Sequence, residues 1–387
     1  MTTEPSPESR PRVRDDVGAY DDIAAAAIRT TGMDDFGGTA HEEGLRILVD
    51  DLNAPTAGLT GEGNYFQRGQ VKSCLVGRLL TQFGMKENPA YADVPIERPI
   101  FVVGLPRTGT TALHRLLTAD RRHQGLELWL TEFPQPRPPR ETWEENPVFS
   151  GINAAYSRHH VANPEFMGIH YMDATSVEEC WRLLRQTGKS ISFESLANVP
   201  TYSSWLAEQD WTDAYQRHKE ALQLIGLNDT DRRWVLKNPS HLVALDALMA
   251  VYPDALIVQT HRDPVASVAS ACSLSAEATA GMSTVFEGET IGRTQLEMLS
   301  RSARSFDAAR PAYDQAQFFD VEYADFVADP VGSTRAIYDA FELDWTPAVA
   351  ESVGAIDAES KAGGKRPSHS YSLADYGLAE EQVRAAF

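Results

Sequence analysis

The chain predicts an α/β fold: a P-loop-like doubly wound parallel sheet flanked by helices, with a helical N-terminal extension and a helical insert. Three strand-turn-helix units carry that expectation. Ile100 to Val103, Trp234 to Leu236 and Ala255 to Gln259 are short apolar runs, each ending in small or charged residues and followed by helical spacing. Units of this kind line their strands up in parallel and place ligands at the strands' carboxyl ends.

Taken in order, residues 1 to about 18 are rich in Pro, Ser, Arg and Glu and read as a flexible tail. Asp21 to Arg29, Thr39 to Leu52 and Tyr65 to Phe83 have helical apolar spacing broken by Gly and Pro, giving a helical extension over residues 1–90. Its role is open among packing on the main domain, covering a cleft and pairing two copies. Residues 91–387 form the α/β domain. Phe133 to Pro139 is proline-dense and reads as an internal strap. Residues 141 to about 230 form the insert, with many aromatics that mostly mean core and partly suit an apolar acceptor pocket.

The first turn is an anion cradle. Gly104-x-x-x-x-Gly109-x-Thr111 lets the backbone approach a ligand, and a helix starting near Thr110 directs its unpaired N–H groups at the same space. Thr108, Thr110 and Thr111 add hydroxyls, and Arg107 adds a cation. A nucleotide-hydrolysing loop has lysine where this chain has Thr110, which argues against a γ-phosphate grip. In the third unit Arg262 precedes a helix begun by Pro264, on which Ser267 and Ser270 lie one turn apart, so an arginine and a serine are placed to clamp one phosphate.

With these parts the chain resembles the sulfotransferases that use 3′-phosphoadenosine 5′-phosphosulfate (PAPS), from about residue 95 to the end. The resemblance implies that Arg107, Thr108, Gly109, Thr110 and Thr111 hold the 5′-phosphosulfate and that Arg262 and Ser270 hold the 3′-phosphate. It makes Phe318 to Phe326 a later strand and acidic turn that puts Tyr323 near adenine. It adds Lys365 and Arg366, in a C-terminal segment like that of a bacterial, especially actinobacterial, branch, as further donor contacts. Ala112 stands where animal members have a stacking tryptophan, so adenine must find another platform.

Sulfuryl transfer to a hydroxyl needs a base for the acceptor proton and cations for the charge growing on the leaving phosphate. The segment Arg233 to Leu242 resembles the family's strand that presents a lysine and a histidine to the reaction centre. That implies His241 as base, with Lys237 and Arg107 as electrostatic catalysts and no metal. Ser240 is placed to cap the helix that His241 begins. Glu127 and Glu132 are the second choices for the base, by likeness to members with a glutamate after the first helix; His170 and His369 are weaker candidates.

Composition sets the partners. A net charge of −20 excludes a generic nucleic-acid surface, so the donor must meet local cations in an acidic body. Three scattered cysteines give neither a disulfide framework nor a zinc pattern and fit a cytoplasmic protein. No run is long enough to span a bilayer, which leaves peripheral membrane contact and a homodimer open. The expected acceptor is a small-molecule or lipid-like alcohol or phenol, a hydroxylated isoprenoid quinone among them, with PAP as product. The competing readings are a P-loop kinase or NTPase and a non-catalytic PAP- or PAPS-binding module.

Overall fold

The computed structural model describes residues 12–162, 173–362 and 372–387. Its centre is a five-stranded sheet in the order β2-β5-β1-β6-β7, with every neighbouring pair parallel. The strands are β1 Ile100–Gly104, β2 His123–Gln124, β5 Arg233–Lys237, β6 Leu256–His261 and β7 Phe318–Glu322. A separate antiparallel pair joins β3, Leu126–Glu127, to β4, Val177–Glu178.

β1 is buried along its whole length. Alternation splits it between two cores: Phe101 and Val103 pack with the insert and the N-terminal helices, Ile100 and Val102 with the helices that follow β1 and β7. Each such side chain contributes about 1.5–3 kcal/mol on burial. Helix crossovers cover both faces, as the continuous apolar strands require.

The N-terminal helices Tyr20–Thr31, Glu42–Asn53 and Gly61–Glu87 lie on the insert. Arg185 donates to Gln70 Oε1 at 3.0 Å and to Ser73 Oγ at 2.9 Å, and the Tyr202 amide donates to Asp51 Oδ2 at 2.8 Å. Residues 12–18 depart from the expected flexible tail: Val17 is fully buried and donates to Asn53 Oδ1, and the Arg14 amide donates to Gly61 O. Burial of Val17 anchors them together with hydrogen bonds such as those from Asn64 to Arg14 O and from Arg68 to Val17 O. The insert contains helices Pro147–Ala162, Trp181–Leu184, Pro200–Ala207 and Thr212–Ile225. Among its aromatics Trp143, Phe149, Phe193, Tyr202, Trp211 and Tyr215 are buried, so most are core. No described helix is long and apolar enough to cross a membrane.

Candidate active site

The carboxyl ends of β1, β5, β6 and β7 converge on the loop Leu105–Gly109. Two glycines are obligatory there. Gly104 has φ +149°, and a Cβ on it would lie 2.2 Å from Thr260 Oγ1; Gly109 has φ +88°, and a Cβ would lie 3.1 Å from the Phe326 ring. Between them Arg107 adopts φ +70°, a left-handed conformation that costs an arginine about 1–3 kcal/mol and leaves its side chain exposed above the loop. Thr108 turns inward instead, donating to Leu105 O at 2.7 Å and meeting Thr260 Oγ1 at 2.5 Å. Its hydroxyl therefore shapes the loop. The helix Thr110–Thr118 begins at the loop and presents its unpaired first-turn amides there. Thr110 is buried and Thr111 exposed.

The third unit closes against this loop. Arg107 Nε donates to Ser270 Oγ at 3.1 Å, and Arg262 Nη1 donates to Arg107 O at 2.7 Å. The Arg262 guanidinium lies over the Tyr323 ring, 4.3 Å from its centre. Helix Pro264–Ala278 is held at its start by Asp263, whose side chain accepts from the Val265 amide, and this fixes Ser270 on the face toward the loop. Arg107, Arg262, Ser270 and Tyr323, distant in sequence, thus form one cationic and aromatic group. Lys365 and Arg366 lie outside the described residues, as do His170 and His369.

β5 delivers Lys237 to the other side of the same helix start. Lys237 Nζ donates to Thr111 Oγ1 at 3.3 Å and forms an ion pair with Glu179. Asn238 Nδ2 donates to the second Glu179 oxygen at 3.3 Å. Glu179 is a residue that sequence reasoning missed. It follows β4, and the neighbouring Cys180 amide is bonded to Lys237 O at 3.0 Å, so backbone contacts fix its position. The sequence signal was slight: two consecutive acids in the insert, the second of which lies 58 residues from the lysine it meets.

His241 is placed differently from expectation. After Lys237 the chain enters a short 3-10 turn, Pro239–Leu242, capped by Asn238 rather than Ser240. That turn carries His241 into the core on the insert side of the sheet, 0% exposed, edge-on to Phe101 at 5.0 Å. Its Nδ1 lies 2.6 Å from the Tyr215 hydroxyl, and its ring centre 6.3 Å from that of His218. Burial, with His218 and Lys237 adding to it, pushes the imidazole well below its ordinary pKa. A base must come within about 3 Å of the proton it takes. His241, expected as the base, is here enclosed among core side chains with no exposure.

The two alternative carboxylates are held by guanidinium groups. Arg137 donates to Glu127 Oε2 from Nε at 3.1 Å and from Nη2 at 3.0 Å, at the edge of an open cleft of about 780 Å³ that Trp143 and Arg232 also line. Glu132 pairs with Arg182 and, at 3.7 Å, with Arg185. Among the described residues neither carboxylate hydrogen-bonds or pairs with Lys237, whose partners are Thr111 and Glu179.

The whole chain has known counterparts. A family model described as the sulfotransferase family matches residues 99–347. The chain is similar to the crystal structure of sulfotransferase STF1 from Mycobacterium tuberculosis H37Rv, with 50% identity, a TM-score of 0.90, and 97% of this chain and 99% of that one covered. It is also similar to sulfotransferase STF9 from Mycobacterium avium, at 27% identity and a TM-score of 0.87 over 97% of this chain and 96% of that one. Omega-hydroxy-beta-dihydromenaquinone-9 sulfotransferase Stf3 of Mycobacterium bovis and Mycobacterium tuberculosis is 27% identical over 69% of this chain and 68% of its own length.

Proposed function

The chain belongs to the sulfotransferase family, and within it we propose an enzyme that moves the sulfuryl group of PAPS to the hydroxyl of a lipid-like or small aromatic acceptor and releases PAP. The observation that carries the donor is the group of Arg107, Arg262, Ser270 and Tyr323 joined at the strand ends. A loop that needs glycine at two positions and exposes an arginine between them fits a 5′-phosphosulfate. Arg262 and Ser270 then take the 3′-phosphate, and Tyr323 supplies the aromatic surface that Ala112 lacks.

Lys237 and Arg107 flank the helix start and stabilise charge on the transferring group and the leaving 5′-phosphate. Thr110 in place of a loop lysine disfavours the kinase reading. The lipid-like acceptor rests on the relative whose name specifies a hydroxylated menaquinone and on the aromatic-rich insert.

The test is thermal stabilisation of the purified protein by PAP, beside adenosine 5′-phosphosulfate and magnesium ATP, because a ligand bound by the native state alone raises Tm. PAP is expected to give the largest shift. Acceptor-dependent PAP release is then measured with hydroxylated menaquinones, phenols, sugars and peptides. A shift with magnesium ATP alone would overturn the donor, and sulfation of only sugars or peptides would overturn the acceptor class.

A further inference from the structure

We infer that Glu179 is the catalytic base, freed for that task when its partner Lys237 turns to the donor. This deepens the proposed sulfuryl transfer and rests on it. The carboxylate is 26% exposed, beside the exposed Thr111 at the start of the loop helix, so an acceptor hydroxyl can reach it from solvent. It shares Lys237 with the donor side of the site: the ammonium has three N–H donors, of which Glu179 and Thr111 account for two. A base in contact with the cation that steadies the transferring group lies next to the reacting atoms.

The other carboxylates differ in what holds them. Glu127 and Glu132 face arginines that have no place in donor binding. Glu179 faces a lysine that gains a stronger, dianionic partner when phosphosulfate arrives. Donor binding then weakens the Lys237–Glu179 pair and leaves Glu179 held by Asn238 through its other oxygen. The carboxylate is uncovered as the sulfuryl group comes into place, which makes the active base dependent on bound donor.

The step balances. The acceptor O–H bond breaks and its proton passes to Glu179; the oxygen's electron pair forms the new S–O bond; the S–O bond to the 5′-phosphate breaks and its electrons leave on PAP. The protonated Glu179 returns its proton to solvent after product release.

The experiment compares wild type, Glu179→Gln and Glu179→Asp with the acceptor that the wild type sulfates best. PAP-induced thermal stabilisation reports folding and donor binding separately from turnover. Glu179→Gln is expected to keep the PAP shift and to lose about 10²–10⁴ in kcat, the range for removing a general base. Its remaining rate should rise tenfold per pH unit, since hydroxide must replace the lost base, while Glu179→Asp recovers part of the rate with the wild-type profile. A uniform loss in Glu179→Gln with an unchanged pH profile, or turnover within threefold of wild type, overturns the assignment. A wild-type protein that neither binds PAP nor sulfates any acceptor overturns the sulfotransferase reading first.

Discussion

Lys237 and His241 leave the same strand within one turn of chain, yet one reaches the loop helix and the other is sealed behind the sheet. Lys237 touches Thr111 and Glu179, both open to solvent. His241 touches Phe101, Tyr215 and His218 in a layer with no exposure. Both residues belong to one motif and both types suit the chemistry. The difference lies in the 3-10 turn that Asn238 caps: its tight rise swings the next side chains across the strand end and into the core. A motif locates a turn; the turn's geometry decides which side chains face a substrate.

The strongest way to break this contrast is to remove the member that reaches the loop helix. Lys237→Ala is expected to lower kcat by about 10²–10³, the range for losing one preorganised donor to developing charge, with the PAP shift reduced but present. Steady-state PAP release at saturating acceptor checks it. A loss below tenfold would place the reaction centre elsewhere.

The sealed member should fail in stability instead. His241→Ala empties a fully packed site and strips the Tyr215 hydroxyl of its partner, so about 2–4 kcal/mol of unfolding free energy should be lost in a denaturant titration. Turnover per folded molecule should stay within threefold of wild type. A His241→Ala protein of normal stability and negligible turnover would reverse the comparison and restore the histidine as base.

Much of this was legible in the sequence for physical reasons. Gly104, Gly109, Pro264 and the strands that Ile100, Arg233 and Leu256 begin are local signals, and the parallel sheet followed from their repetition. The group of Arg107, Arg262 and Ser270 follows because parallel strands bring their carboxyl ends together whatever the sequence separation. Three site features were illegible. Thr108 turns inward because Thr260, a partner on another strand, draws its hydroxyl. Glu179 reaches Lys237 only through the β3–β4 pairing and the Cys180 amide bond, long-range contacts with no spacing rule. His241 enters the core because Tyr215, on a helix of the insert, offers it a hydrogen bond.

A smaller effect sharpens the donor side. Arg262→Ala removes the guanidinium stacked on Tyr323 and its bond to the loop carbonyl. Charged hydrogen bonds of this kind are worth about 1.5–3 kcal/mol, so PAP affinity should fall about ten- to a hundredfold by calorimetry. Adenosine 5′-phosphosulfate, which lacks the 3′-phosphate, should lose much less. Equal losses for both ligands would move Arg262 from the 3′-phosphate to the loop.

The smallest expected effect separates the two environments by pH. Burial lowers His218 to about 3 and His114 to about 4, while an unfolded histidine titrates near 6.5. Between those values the unfolded chain binds protons that the native protein refuses, so stability present above about pH 6.5 is lost as pH falls toward the native values. Each such histidine contributes a slope approaching about 1.4 kcal/mol per pH unit within that window. His218→Gln should therefore flatten the decline of Tm below pH 6.5 by one histidine's share and leave the pH dependence of kcat as in wild type. If the substitution instead moved the pH profile of turnover, the sealed layer would be communicating with the acceptor proton, and the division between Lys237 and His241 would be one of distance alone.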